Sequence, residues 1–511
     1  MLVKIFSGAV CGIEATTITI EVNILWGVKF IIVGLPDNAV KESQQRVDSA
    51  LRNIGSKIPG KRIIVNLAPA DVKKEGSAYD LPLAIGILAA NEEIPATELH
   101  RFTILGELSL DGSLVTVKGV LPIAINAQAE GFTHMIVPYE NANEAAVVKG
   151  LNVYGFSHLR EVVAFLKKEQ KFSPICFHPG NTETDNSVPL CDFKDVKGQE
   201  NVKRAMEIAA SGGHNMLMIG PPGSGKTMLA RRLPTILPPM TLEESLETTK
   251  IHSVAGKLQR NSSLITTRPF RAPHHTISDI ALIGGGSFPR PGEISLACNG
   301  VLFLDELPEF KRAVLEVMRQ PLEDRTITIS RARSSVDYPA NFMLIASMNP
   351  CPCGYYTHPS KECTCNGGMI QRYLSKISGP LLDRIDIHIE VVPVELDKIT
   401  GNQEEESSQT IRERVIRARE IQNGRFKNFA GVYCNAQMNS ALLKKYCPLN
   451  EKCTSLLKIA MQKFGLSARA YDRIIKLSRT IADLAGNEQI LPQYIAEAIQ
   501  YRSLDKASWG K

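Results

Sequence analysis

Residues 220–227 read Gly220-Pro221-Pro222-Gly223-Ser224-Gly225-Lys226-Thr227, set between an apolar run (Met216-Leu217-Met218-Ile219) and a helix-forming one (Met228-Leu229-Ala230-Arg231-Arg232-Leu233). Strand, glycine-rich turn and helix in that order force an α/β arrangement. The glycines let several backbone N–H groups and a helix N-terminus face one anion. Lys226 is then placed to reach the β- and γ-phosphates of a nucleoside triphosphate, and Thr227 to hold Mg²⁺. Further along, the buried-strand pattern Val301-Leu302-Phe303-Leu304 ends in Asp305-Glu306. Ligands of α/β folds bind at that end of a strand. Asp305 suits ordering of the Mg²⁺ shell, and Glu306 suits orienting and polarising the attacking water. ATP and Mg²⁺ are the expected cofactors.

At 511 residues the chain is too long for one ordinary core. A net charge of +6 permits a polyanionic partner without demanding one. Eleven cysteines with no secretory leader pattern argue against a disulfide framework and for a cytoplasmic protein. No apolar run has the length needed to span a bilayer, so no membrane partner is expected.

Strand-like stretches at 28–33, 62–67, 102–105 and 134–137 alternate with helix-like ones at 39–53, 80–91, 119–130 and 157–168, which predicts an α/β or α+β domain over residues 1–168. A polar, Pro/Gly/Asn-rich linker follows at 169–189. The nucleotide-binding domain is expected over 190–396. A helical domain follows over 397–511, with helices at 411–423, 450–464, 468–485 and 492–501.

A phosphate-loop strand, a second strand ending in Asp-Glu and a helical tail together resemble an AAA+ P-loop NTPase core with its C-terminal lid. That resemblance implies roles for three more residues. Asn349 closes the apolar strand Phe342–Ala346 and its extension Ser347-Met348, and fits sensor 1, touching the γ-phosphate and the water. Arg384, in Leu381-Leu382-Asp383-Arg384-Ile385-Asp386, fits an arginine finger. Arg469, in Gly465-Leu466-Ser467-Ala468-Arg469-Ala470, fits sensor 2. A guanidinium stabilises charge on the transferred phosphoryl group, and one supplied in trans requires a ring of subunits.

Longer segments narrow the resemblance. Asp195-Val196-Lys197-Gly198-Gln199, Phe270-Arg271-Ala272-Pro273-His274-His275-Thr276, Gly292-Glu293-Ile294-Ser295-Leu296-Ala297 and Asn349-Pro350-Cys351-Pro352-Cys353-Gly354 are similar to the Mg-chelatase-like AAA+ ATPases, specifically the ComM/YifB group. The resemblance covers nearly the whole chain. It implies a homo-hexameric motor that binds DNA and extends branched structures, a branch-migration helicase of homologous recombination during uptake of foreign DNA. The front domain resembles the Lon-protease (ribosomal S5 domain 2-like) fold through Lys74-Glu75-Gly76-Ser77-Ala78 and Gly106-Glu107-Leu108-Ser109-Leu110-Asp111-Gly112. Leu121 stands where that family's general-base lysine belongs, and Lys118 is three residues early. A serine without a lysine of lowered pKa is a poor nucleophile, so a non-proteolytic fold is expected, with Ser77 and Lys118 structural.

Two further patterns bear on partners. Residues 326–338 alternate in the manner of a β-hairpin, with Arg331 and Arg333 near its tip, and residues 281–291 form a glycine-rich insert. Cations on such a hairpin can track DNA phosphates, branched or single-stranded, without reading sequence; a solvated surface hairpin is the alternative. Cys351, Cys353, Cys363 and Cys365 form a C-x-C…C-x-C cluster suited to tetrahedral Zn²⁺, with free thiols or a redox pair as alternatives. Adjacent His274 and His275 are expected to point apart and to pack a loop. A chelatase-type chaperone, driving metal insertion or protein remodelling, is the competing function. An ATP-dependent protease is disfavoured by the missing lysine.

Overall fold

The computed structural model describes residues 2–177, 191–259, 262–286, 289–331, 334–356, 358, 360–394, 405–429 and 431–502. Two sheets and a helical domain organise them. The first sheet is built from β1 (Leu2–Cys11), β2 (Glu14–Leu25), β3 (Phe30–Val33), β4 (Arg62–Ala68), β5 (Phe102–Ile104), β6 (His134–Pro138) and β7 (Asn152–Phe156), in the order β3-β4-β2-β1-β5-β6-β7. Helices α1 (Asn38–Asn53), α2 (Asp80–Ala90), α3 (Val120–Ala129), α4 (Tyr139–Ala145) and α5 (Leu159–Leu166) accompany it. The β1–β2 hairpin is antiparallel, whereas β1, β5, β6 and β7 pair in parallel. α2 is buried all round, as its unbroken apolar sequence requires.

The second sheet carries the nucleotide motifs. Helix α6 (Glu200–Gly212) leads into β8 (Met216–Ile219), which is followed by α7 (Lys226–Ile236) and α8 (Leu242–Ala255). Then come β9 (Phe270–Arg271), β10 (Val301–Leu304), the hairpin β11 (Thr326–Arg331) and β12 (Ser334–Pro339), β13 (Met343–Met348), α9 (Gly367–Leu374) and β14 (Ile387–Glu390). The sheet order is β9-β10-β13-β8-β14, every pair parallel. All residues of β8, β10 and β13 are buried, which explains their continuous apolar runs: a parallel sheet covered on both faces has no polar side.

The lid is helical: α10 (Ser408–Phe426), α11 (Ser440–Tyr446), α12 (Glu451–Phe464), α13 (Ala468–Leu484) and α14 (Pro492–Gln500). A buried polar cluster joins it to the sheet. Asp386, just before β14, takes His214 Nδ1 at 3.0 Å and Arg473 Nη1 at 2.7 Å, while His214 Nε2 meets Thr480 Oγ1 at 2.8 Å. Full burial opposes ionisation of Asp386, yet the Arg473 and His214 charges hold its carboxyl well below the usual range. Among the described residues no helix is long and apolar enough to cross a membrane.

The front sheet docks on the core through a second buried acid. Glu144 of α4 accepts hydrogen bonds from Ser253 Oγ of α8, from the Leu121 N–H at 2.9 Å and from Asn141 Nδ2 at 3.3 Å. Burial pushes its carboxyl up, against these three donors. The β1–β2 turn reaches further: a Cβ at Gly12 would lie 2.5 Å from Val336 of β12, and Gly12 has φ +68°, so only glycine fits this turn against the hairpin.

Candidate active site

Parallel register puts three motifs on one rim. Ile219 pairs with Met348 and Leu304 with Ala346, so the segments leaving β8, β10 and β13 emerge side by side at the C-terminal edge. The Gly220 N–H donates to the Met348 carbonyl at 3.2 Å, joining the phosphate loop to the strand that ends at Asn349. Gly223 (φ +79°) and Gly225 (φ +88°) occupy the left-handed region, the backbone the turn needs before α7 begins at Lys226.

Lys226 is folded over its own loop and nearly buried. Its Nζ donates to the Gly220 and Pro221 carbonyls at 2.7 and 2.9 Å and to Asn349 Oδ1 at 3.2 Å. Ser224 Oγ closes the turn on the Pro221 carbonyl at 2.9 Å. Burial pushes the lysine pKa down, and attraction from Asp305 and Glu306 works the other way. Three acceptors on one ammonium hold it where a triphosphate's oxygens would replace them.

Thr227 Oγ1 donates to Asp305 Oδ2 at 2.6 Å, so a hydroxyl and a carboxylate, both hard oxygen donors, meet at the first turn of α7. That donor set fits Mg²⁺. Ser347, which sequence reasoning passed over, donates its hydroxyl to the other oxygen of Asp305. The signal was available: Ser347 and Asn349 lie two apart on a strand and therefore share a face.

Glu306 has φ +54°, the left-handed region that a glutamate seldom occupies. Its N–H is held by Asp305 Oδ1 at 3.0 Å and its side chain is about half exposed. Such strain persists where surrounding structure enforces it, and here it turns the carboxylate out of the strand toward solvent. His275 Nδ1 lies 3.5 Å from the Glu306 carboxylate. The expectation that His274 and His275 point apart is incorrect: their ring centroids are 4.1 Å apart, tilted by 34°. Successive side chains diverge along an extended strand, but β9 ends at Arg271 and the chain turns at His275-Thr276.

Arg384 and Arg469 lie in different settings. Arg384 is 6% exposed in its side chain, with Nη2 2.5 Å from Glu323 and Nη1 2.6 Å from the Pro380 carbonyl. Its Nε is buried without an acceptor among the described residues. Arg469 begins α13 with its side chain 61% exposed, 3.8 Å from Asp383. The lid arginine thus approaches the segment that carries Arg384.

The four cysteines converge. Cys351 Sγ lies 3.3 Å from Cys353 Sγ and 3.7 Å from Cys363 Sγ, Cys353 Sγ lies 3.6 Å from Cys363 Sγ, and all four sulfurs fall within 4.8 Å of one another. A tetrahedron of Zn–S bonds of about 2.3 Å places its sulfurs about 3.8 Å apart, so the donor set fits zinc. The cluster abuts the nucleotide site: a Cβ at Gly354 would lie 2.5 Å from Pro222 Cδ of the phosphate loop.

The hairpin expected over 326–338 is present as β11–β12, paired from Thr326↔Pro339 to Arg331↔Ser334. Arg331 closes β11, and Arg333 lies outside the described residues. The glycine-rich insert forms a small ladder, Gly284–Gly285 against Arg290–Pro291, and Tyr338 of β12 donates to the Pro289 carbonyl at 2.8 Å. In the front domain Ser77 donates its hydroxyl to Glu107, while Lys118 is directed at Gly256 beyond α8, where a Cβ would meet its Cε at 2.5 Å.

Comparison with known proteins agrees with this geometry. The chain matches the family models of the magnesium chelatase subunit ChlI over residues 192–399, subunit ChlI of Mg-chelatase over 20–141, and the ChlI C-terminal region over 405–502. It is 47% identical to the competence protein ComM of Haemophilus influenzae, with 98% of each chain covered. It is 43% identical to the YifB protein of Salmonella typhimurium, over 99% of this chain and 98% of that one. A partial likeness, 29% over 154 residues, extends to Lon protease 2 of Bacillus subtilis, covering 27% of this chain and 26% of the protease.

Proposed function

Because the chain belongs to the magnesium-chelatase ChlI family of AAA+ ATPases, in its ComM/YifB branch, we propose that it is an ATP-driven motor on DNA, a branch-migration helicase of recombination that works as a homo-hexamer. The observation that carries the ATPase chemistry is the convergence of Lys226, Thr227, Asp305, Glu306 and Asn349 on one sheet edge. The phosphate-loop amides and Lys226 bind the triphosphate, and Thr227 with Asp305 would hold Mg²⁺, which neutralises charge between the β- and γ-phosphates when bound. Glu306 orients and polarises the attacking water, with Asn349 positioning the γ-phosphate from the adjoining strand. Arg469 reaches the same nucleotide from the lid, and Arg384 serves the neighbouring subunit's nucleotide. Glu306→Gln is expected to lower turnover by about 10²–10⁴-fold while ATP stays bound. Phosphate release and retention of nucleotide on gel filtration measure both; undiminished release would remove Glu306 from this role.

The DNA assignment rests on the cation-bearing hairpin between the Asp-Glu strand and the sensor strand, and on the likeness to a competence protein. Its test is ATP-dependent unwinding of a labelled four-way junction. Inactivity on every DNA substrate would instead favour the chelatase-type chaperone, to which the family models also point. Replacing Arg331 and Arg333 together by alanine is expected to weaken DNA binding in fluorescence anisotropy and to flatten its salt dependence by about one to two in logarithmic slope. ATP binding should be spared; unaltered DNA affinity would count against the hairpin.

Zinc is assigned to Cys351, Cys353, Cys363 and Cys365 as a structural brace for the loop between Asn349 and α9. Elemental analysis of the purified chain should find one zinc per subunit, and chelation should lower the melting temperature. A metal-free protein of unchanged stability would show that the four thiols need no ion.

A further inference from the structure

At the other end of the central sheet lies a cavity of ≈ 520 Å³, within the range of small-molecule sites. Its floor comes from the segments that enter the strands: Gly213 ahead of β8, Gly300 ahead of β10, and Asn341 and Phe342 ahead of β13. The lid closes it with Arg419 of α10 and with Tyr433. It is separate from the phosphate loop. Helix α7 starts at Lys226, and the cavity wall begins one residue past its end, at Leu237, a distance of about 16 Å along the helix.

Three guanidinium groups converge there, and among the described residues only one has a carboxylate in direct contact. Arg268 is matched bidentately by Glu244, at 3.0–3.2 Å. Arg325 donates to the neutral Asn341 Oδ1 at 2.9 Å, and Arg419 to the Ala210 carbonyl at 3.0 and 3.2 Å. Among the described residues neither of these two has a carboxylate partner. The other acid on the wall, Glu243, is solvent-exposed. Burial pushes both Arg268 and Arg325 down, against attraction from Glu244 on the first and from Cys434 and Asp386 on the second, and Arg419 repels both. Partly buried cations are ordinarily paired, so two neighbouring guanidiniums with no carboxylate in contact favour an anion between them.

The shape of that anion follows from the walls. Planar guanidinium forks bind phosphate bidentately. The amides of Asn341, Asn423 and Gln437 offer both donors and acceptors, and the Tyr433 ring, 54% exposed, stands at the lid side to cover a flat group. We infer that this cavity binds a small phosphate-bearing molecule of nucleotide size, through Arg325 and Arg419, at a site distinct from the ATP pocket. Arg325 immediately precedes β11 and Asn341 lies two residues past the end of β12, while Gln437 of the lid donates to Asn341 at 3.2 Å. An occupant would therefore tie the root of the hairpin to the lid.

The test uses the full chain carrying Lys226→Ala, which silences the phosphate loop, and titration calorimetry with ADP, inorganic pyrophosphate and a short single-stranded oligonucleotide. Saturable binding of ADP or pyrophosphate is expected. It should weaken about tenfold or more in Arg419→Gln, the loss that accompanies removal of one charge-assisted hydrogen-bonding group. Asn423→Trp, at an exposed position on α10, should block the cavity without touching the core, and circular dichroism confirms folding of each variant. Absence of binding, binding indifferent to both variants, or oligonucleotide binding alone sensitive to them would overturn the assignment. Residual nucleotide at the phosphate loop would survive both cavity substitutions, so failure of the Lys226 reading is distinguishable from failure of this one.

Discussion

Replacing Lys226 with alanine is expected to abolish ATP binding and, with it, every nucleotide-driven activity of the chain. The ammonium is the one full positive charge inside the phosphate loop, and three neutral acceptors already hold it in place. ATP would exchange those acceptors for phosphate oxygens, charge-assisted bonds together worth about 3 kcal/mol or more, on the order of a hundredfold or greater in Kd. Arginine is no substitute, because its planar fork does not fit a turn closed around a point charge. Because Lys226 is buried, folding must be checked by circular dichroism beside the binding measurement. A folded Lys226→Ala chain that keeps near-native ATP affinity would place the nucleotide elsewhere.

Arg384→Ala is expected to lower ATP turnover by about 10³-fold or more, the effect of losing an arginine finger, while leaving ATP bound. In one subunit the guanidinium is engaged with Glu323 and the Pro380 carbonyl, so a trans role requires assembly to draw it away from Glu323. Mixing subunits separates that role from a structural one. A ring containing Arg384→Ala and Lys226→Ala chains includes junctions where an intact pocket faces an intact Arg384, and these should recover turnover that neither variant shows alone. If mixing restores nothing and Arg384→Ala simply melts at lower temperature, the residue is an internal tie between the segment that follows α9 and Glu323, ahead of β11. Glu323→Gln offers an independent check, since freeing the guanidinium should not cost turnover when the finger is used in trans.

Much of the nucleotide site was legible in the residues. Met216–Ile219, Val301–Leu304 and Met343–Met348 are strands for the reason their apolar runs suggest, and Gly223 and Gly225 sit where the loop requires glycine. The lid helices α10, α12, α13 and α14 and the front-domain elements β3 to β6, α1 to α3 and α5 follow their periodicities to within a few residues. Short elements without a strong period, such as α4, β7 and α11, were not read, because a few residues cannot display a helical or strand repeat. Ser347 and His275 escaped for another reason: each acquires its role from a partner distant in sequence, Asp305 in one case and Glu306 in the other.

The covalent order of the chain alone determined that a glycine-rich turn and a helix follow β8 and that acids follow β10, since both depend on short-range backbone geometry and on burial of contiguous apolar residues. Strand order, the docking of Glu144 on Ser253, the enclosure of Arg384 by Glu323 and the meeting of Arg325 with Arg419 were decided only by tertiary packing. Those contacts join residues far apart in the chain, and whether a charge is answered, buried or left open depends on what the fold brings against it.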